Sequence, residues 1–374
     1  LRPYGKTMSD STPNFERLLT PLLEELGRFQ VSKTTIGKDQ TSDLRVIAPD
    51  SSEFRLQVKE YKRITPATAE SACLALKRSG EASHAEPILF AAVISDRTAE
   101  IALKYGVSWM DYAGNCRLVF PSQRIYLRRS GIENPYGKQL PKLLNVFSSK
   151  SSRVVRAMLQ EPLHDWQLKE LAKHPDVQIS PGLMSRIKRT LVDEGYAVMV
   201  DGKLRLTRPD DLLDDWVQHY RNHKPLEQNF YMRGDLEQVE QTVANWSLKT
   251  NTLCALSRYS AAWQLAPDVR YNVASFMVSK DASLDESLAE LTRNYGARPV
   301  ETGANLVLQI SDDESYLSHR LGELLQTTSP LQTYLDISAM NGRGEEAAMA
   351  IYEKFLKQPF KESTERARGQ DEGN

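Results

Sequence analysis

Two groups of residues in this chain have types and spacings suited to chemistry. The first is Asp43 together with Gln57-Val58-Lys59, which offers a carboxylate, an amide oxygen and an ammonium group. Oxygens of this kind ligate a hard divalent cation such as Mg²⁺ beside a phosphodiester, while a lysine orients water and stabilises developing negative charge. The residue types suit that chemistry, although their spacing alone does not assign it. Gln57 is a neutral amide and holds a cation less firmly than a carboxylate; Glu24 or Glu25 could add a ligand. Against this stands the plain reading of Lys59-Glu60-Tyr61-Lys62-Arg63 as a charged strand end. The second group is Ser180, Ser185, Arg186, Lys188 and Arg189, flanked by Lys150 and Arg153 before it and by Lys203 and Arg205 after it. Hydroxyl, guanidinium and ammonium groups at such spacing suit the base edges and phosphates of double-stranded DNA.

The elements that would position the second group are legible. Ser148 or Ser149 caps a helix that carries Val154, Val155, Met158 and Leu159 and stops at Glu161-Pro162. Asp165 is the cap candidate of a second helix with Leu168, Leu171 and Ala172 on one face. After a turn over His174 to Ile179, Ser180-Pro181 starts a third helix, proline at the first position losing no needed donor. Leu183, Ile187, Leu191 and Val192 form its buried stripe, which leaves Ser185, Arg186, Lys188 and Arg189 outward. Gly195-Tyr196 ends it, and the run from Ala197 to Thr207 reads as a hairpin turning at Asp201-Gly202. Three helices and a hairpin in this order predict a winged helix-turn-helix, with the third helix in the major groove and the hairpin as wing. From Gln123 to Arg189 thirteen basic residues face five acidic ones, although the whole chain has a net charge of −1. A local excess of that size is the footprint expected of phosphate contacts. The alternative is a winged helix that contacts only protein.

The first group sits in a different pattern. A helix from Asn14 to Phe29 precedes strands at Asp43 to Ile47 and Phe54 to Lys59, joined near Pro49-Asp50. A helix from Pro66 to Arg78, a buried strand from Ile88 to Ile94, a helix from Asp96 to Tyr105 and extended segments at Val107 to Asp111 and Asn115 to Phe120 follow. The order αβββαβαβ and the Asp43, Gln57-Val58-Lys59 pattern resemble the PD-(D/E)xK nuclease superfamily. The resemblance implies a restriction-endonuclease-like fold and, where the site is active, Mg²⁺-dependent cleavage of DNA, with Asp43, Gln57 and Lys59 catalytic, Asp43 and Gln57 the metal ligands and Mg²⁺ the only cofactor.

A second resemblance covers roughly Tyr105 to Leu356. Tyr105-Gly106-Val107-Ser108-Trp109-Met110-Asp111-Tyr112-Ala113-Gly114-Asn115-Cys116, Val146-Phe147-Ser148-Ser149-Lys150-Ser151-Ser152-Arg153, Leu212-Leu213-Asp214-Asp215-Trp216, Gln332-Thr333-Tyr334-Leu335-Asp336 and Gly342-Arg343-Gly344-Glu345-Glu346-Ala347-Ala348 occur in that order. Together they resemble the AbiEi-type antitoxin family in its long form. The resemblance implies a DNA-binding repressor of antitoxin type, paired with a nucleotidyltransferase-like toxin. Within the first motif, Ala113-Gly114-Asn115 is a turn sequence, so Asp111 can be read as a brace for the turn or as a catalytic acid.

The resulting fold class is an α/β and α+β multidomain protein: a restriction-endonuclease-like domain at 14–121, a basic connector at 122–147, a winged helix-turn-helix at 148–208, an α/β domain at 209–358 and a disordered tail at 359–374. In the α/β part, strands are expected at Leu226 to Tyr231, Thr252 to Leu256, Val269 to Val278, Asn305 to Ile310 and Thr333 to Ile337. Helices are expected at Asp210 to Tyr220, Gly234 to Leu248, Ser257 to Leu265, Ser283 to Tyr295, Ser315 to Leu325 and Gly344 to Lys357. His219 and His223 have a metal-compatible spacing but no third ligand, and the glycine turn at Asn341 to Glu346 lacks a full phosphate-loop pattern. Cys73, Cys116 and Cys254 are scattered in apolar surroundings and read as reduced core residues. With no apolar leader or membrane-length run, the expectation is a cytoplasmic protein without membrane contact; a palindromic operator would imply a homodimer.

Overall fold

The computed structural model describes residues 14–36, 41–139, 144–221, 226–323, 325–340 and 342–371. The chain divides into two units, the first made of residues up to 143 with 193–195 and the second of 144–192 with 196–374.

The first unit is built on a seven-stranded sheet. Helix α1 (Phe15–Glu24) precedes strands β1 (Gln30–Ile36), β2 (Thr41–Ile47) and β3 (Glu53–Tyr61); α2 (Pro66–Ser83) leads to β4 (Ala85–Ala91), and α3 (Asp96–Lys104) to β5 (Ser108–Asp111), β6 (Cys116–Phe120) and β7 (Ile125–Arg129). The strands lie side by side in chain order. Pairs β3–β4 and β4–β5 are parallel and the other four are antiparallel. Two-residue alternation sorts side chains to opposite faces. Leu44, Val46, Leu56 and Val58 meet Phe15, Leu19, Leu22 and Leu23 of α1 on one face. Leu89 and Ala91 meet Ala69, Cys73 and Leu76 of α2 and Ala102 of α3 on the other. Buried on both faces, β4 reads as the apolar run Ile88-Leu89-Phe90-Ala91. Thr65 and Thr68 close a capping box on α2 with Pro66 inside it. Strand β6 matches the expected extended segment from Asn115 to Phe120, whereas β1 and β7 lie outside the expected segments. The start of the segment expected as a basic connector is strand β7, because Ile125 and Leu127 alternate inward onto the α1 face.

The second unit opens with α4 (Ser149–Gln160), α5 (Leu168–Lys173) and α6 (Pro181–Asp193), then the hairpin β8 (Ala197–Val200) and β9 (Lys203–Leu206). Asp201 and Gly202 both have positive φ, as the tight hairpin turn requires. Next come α7 (Pro209–Tyr220), β10 (Leu226–Tyr231), α8 (Leu236–Thr250), β11 (Cys254–Leu256), α9 (Arg258–Leu265), β12 (Ala274–Ser279), α10 (Leu284–Tyr295), β13 (Arg298–Pro299), β14 (Leu306–Ser311), α11 (Pro330–Ser338), α12 (Gly344–Ile351) and α13 (Lys357–Asp371). The five-stranded sheet has the order β11-β12-β14-β10-β13, with β12 and β14 parallel. One apolar core runs from Val154, Met158, Leu171 and Ile187 through Leu204 and Trp216 to Leu335, Leu356 and Phe360, so packing does not stop at position 208.

Several expectations are corrected here. Thr333 to Ile337 is helical, within α11, because Ser329 caps a helix started by Pro330 and Leu331, Leu335 and Ile337 are buried by it. Ser315 to Leu325 is not a helix; only Glu314–Leu317 makes a 3₁₀ turn, held by the Asp313 side chain. The stretch expected to be a disordered tail forms α13 up to Asp371. Phe360 is buried, and the Ser363 hydroxyl lies 3.0 Å from the Pro162 carbonyl and 2.9 Å from that of Leu206. Its composition is polar, but a few anchors at helical spacing suffice when a partner surface exists. The second helix starts at Leu168 rather than after Asp165, whose carboxylate is engaged elsewhere. Ser148 precedes α4 but makes no side-chain cap bond; its hydroxyl donates to the Asn145 carbonyl at 2.9 Å. Cys73, Cys116 and Cys254 are buried free thiols, and among the described residues no helix is long and apolar enough to cross a membrane.

Candidate functional site

Helix α6 has two unlike faces. Met184, Ile187, Thr190 and Leu191 are buried, with Leu183 and Val192 only half so, which shifts the buried stripe by one residue from the sequence reading. Ser185, Arg186 and Arg189 are exposed on the opposite side, and Lys188 is half-buried at the edge of the stripe. The Ser180 hydroxyl accepts from the Leu183 N–H at 3.3 Å, capping the helix start. Lys150 on α4 and Lys203 on the hairpin are exposed. Among the described residues no ion pair joins Arg186, Lys188, Arg189, Lys150 or Lys203 to a carboxylate. These five cations keep their groups available to a polyanion.

Three basic residues of the expected footprint do not. Arg205 is 6% exposed, its Nε 2.8 Å and a terminal nitrogen 2.5 Å from the two oxygens of Asp165. Arg366 of α13 joins the same carboxylate at 2.8 Å and donates to the Leu163 carbonyl at 2.7 Å. The hydrogen bonds from Arg205 and the two positive charges hold the Asp165 carboxyl below its ordinary range. Alternation along β9 points Arg205 away from Leu204 and Leu206; α13 covers the side it points to. Arg153 pairs with Asp313 at 3.0 Å.

Arg156 is the third, and is 1% exposed. It occupies the helical stripe of Ser152, Val155 and Leu159, a spacing that already marked it for burial. It donates to Gln332 Oε1 at 2.7 Å and lies over the rings of Trp216 and Tyr316 at 5.1 and 4.7 Å. The Gln332 amide donates to Tyr220 Oη at 2.8 Å and to Asp336 Oδ1 at 2.6 Å, and Tyr220 donates to the same Asp336 oxygen at 2.7 Å. Burial pushes the Asp336 carboxyl up to about 6 despite these donors and the nearby Arg258 and Arg156. The conspicuous Gln332 to Asp336 segment and the Leu212 to Trp216 segment therefore meet in one interior network. Gly344 belongs to the same kind of packing, since a Cβ there would lie 2.5 Å from the Ile337 carbonyl oxygen. The glycine turn before α12 is explained by that close approach, and Asn341 lies outside the described residues. His219 packs against Phe147 and lies 2.8 Å from the Asp215 carbonyl; His223 is outside the described residues.

In the first unit, β2 begins two residues earlier than expected, so Asp43 lies within the strand and directly opposite Gln57 of β3. Asp43 Oδ1 and Gln57 Oε1 are both buried and neither meets a hydrogen-bond partner. Two such orphaned oxygens on facing residues fit two positions of a hard divalent cation, whose remaining positions water would fill. Lys59, on the same face two residues on, is half-buried. Leu22 and Leu23 place α1 on the other face of the sheet, and Glu24 and Glu25 are exposed there, so no ligand comes from them. Among the described residues no group of three or more His, Cys, Asp or Glu gathers to hold a metal.

Asp111 is fully occupied. Oδ1 accepts from the Ala113 and Asn115 N–H groups and Oδ2 from the Asn115 and Asn134 amides, all at 2.9 Å. Asn115 in turn exchanges hydrogen bonds with the Ile132 backbone at 2.9 and 3.0 Å. With Gly114 at positive φ, the segment is a braced turn that ties the chain after β7 back to the end of β5.

Comparison with known proteins gives one family. Residues 205–357 match the model described as "Transcriptional regulator, AbiEi antitoxin, Type IV TA system". No curated protein and no solved structure matches the chain.

Proposed function

We propose, from the match of residues 205–357 to the model of the AbiEi antitoxin transcriptional regulators, that this chain is a repressor of antitoxin type that binds double-stranded DNA through a winged helix formed by α4, α5, α6 and the β8–β9 hairpin. The observation that carries the reading is the outer face of α6, where Ser185, Arg186 and Arg189 stand exposed above a buried apolar stripe. In this reading α6 enters the major groove and its two arginines read base edges. Lys150, Lys188 and Lys203 contact phosphates, and Ser180 positions the helix start. Arg153 and Arg205 act indirectly, as braces of α4 and of the wing base. The family description supports pairing with a toxin.

The test is a salt-controlled binding assay of the full chain on operator and on scrambled duplex. Arg186→Ala with Arg189→Ala should remove operator preference, at about 1–3 kcal/mol per bidentate contact, while melting stays near wild type. Retained preference would refute the placement.

The orphaned oxygens of Asp43 and Gln57 favour one second reading, a Mg²⁺-dependent nuclease directed by the winged helix. A bound cation would supply Lewis-acid stabilisation of the phosphate. Asp43 and Gln57 would hold it, and Lys59 would orient water. Cleavage of plasmid that requires Mg²⁺ and is lost in Lys59→Ala would support it; no cleavage would remove it.

A further inference from the structure

Helices α2 and α3 cover β3, β4 and β5 on one side of the seven-stranded sheet, and β6 and β7 continue past them. On that side a row runs from Trp109 of β5 to Arg117 of β6 and Arg128 of β7, set by direct register. Tyr126 stands beside it, 55% exposed, with the Arg117 guanidinium 5.5 Å from its ring centre. Arg117 and Arg128 are direct cross-strand partners, an arrangement in which like charges destabilise the sheet. Among the described residues no ion pair joins either to a carboxylate, and Arg117 Nε is buried without a hydrogen-bond partner. Two facing guanidiniums with an orphaned donor are the complement of a polyanion.

We propose that this face is a second DNA-backbone contact, at which Arg117 and Arg128 bind phosphates of duplex DNA; the inference rests on the reading of the chain as a duplex-binding regulator. Tyr126 already has a ring face against Arg117, which holds the guanidinium in place and takes that face from the bases of a single strand. The contact is made by charge and carries no base readout. It therefore adds affinity equally to operator and non-operator DNA.

The experiment measures binding of the full chain to a labelled operator duplex and a mixed-sequence duplex across a salt series. Each lost phosphate contact lowers the slope of log K against log salt by about 0.9, so Arg117→Gln with Arg128→Gln should lower it by nearly twice that on both duplexes, with the operator preference ratio unchanged. The paired Lys substitutions should restore the slope, which a purely structural role would not predict. Arg128→Gln alone, at an exposed strand-edge position, gives half the effect if the double variant melts early. An unchanged slope, or a change confined to single-stranded probe, overturns the proposal. Parallel measurement of Arg186→Ala with Arg189→Ala separates the two readings. If that variant loses operator preference while the Arg117 and Arg128 variants bind as wild type, only the second contact falls. If wild type shows no duplex affinity at low salt, both fall.

Discussion

Replacing Asp336 by asparagine should stabilise the protein at neutral pH, and the gain should shrink as the pH is lowered. The Asp336 carboxyl is 4% exposed; Oδ1 accepts from Tyr220 and Gln332, and Oδ2 has no partner. Burial raises its pKa from 3.8 to about 6, the donors and Arg258 and Arg156 opposing but not cancelling the effect. A folded value above the unfolded one means that the folded state binds the proton more tightly. The stability linked to that proton is complete below pH 3.8 and is lost as pH rises through about 6. At 1.36 kcal/mol per unit, ionisation of Asp336 costs the fold about 3 kcal/mol at pH 7. Asparagine keeps an oxygen for Tyr220 and Gln332 without the charge. Urea melts of wild type and Asp336→Asn at pH 4 and pH 7 should differ in ΔΔG by roughly 2 kcal/mol, the variant being favoured at pH 7. Taking the difference between the two proteins cancels the other titrating groups. A pH-independent ΔΔG, or a variant less stable at pH 7 than at pH 4 relative to wild type, would refute the reasoning.

Two further outcomes follow from the packing. Asp165→Asn removes the anion shared by Arg205 and Arg366, and leaving the buried Arg205 unpaired should cost about 3 kcal/mol by chemical melts; trypsin should then cleave within α13 faster than in wild type, and equal rates would mean that this ion pair does not hold the helix. Gly344→Ala drives a Cβ into the Ile337 carbonyl and should lower stability by ~2 kcal/mol, read as a lower denaturation midpoint with unchanged slope; a neutral effect would show that α11 and α12 can move apart freely.

Period and punctuation made much of this protein legible. The helical spacing over Pro181 to Val192, the proline start and the Asp201-Gly202 turn determine a helix and a hairpin without outside help, because each rests on contacts within a few residues. The exposed arginines of α6 were readable for the same reason. So was the alternation that puts Asp43 and Gln57 on one sheet face, once their strands pair.

Tertiary packing decided the rest. Arg205 alternates outward along its strand, but a helix from the far end of the chain covers it and converts a phosphate candidate into half of a buried ion pair. That helix read as an unstructured tail because its composition is polar and its anchors, Phe360 and Ser363, have value only against a surface built by residues some 150 to 200 positions earlier. Thr333 to Ile337 has the β-branched and aromatic character of a strand, yet its residues serve three neighbours at once and only a helix presents them all. Local sequence determined most of the regular segments and which of their faces are apolar; the state of Thr333 to Ile337 and of the last helix, the covering of each face, and with it which charges remain free to act, were decided by partners distant in the chain.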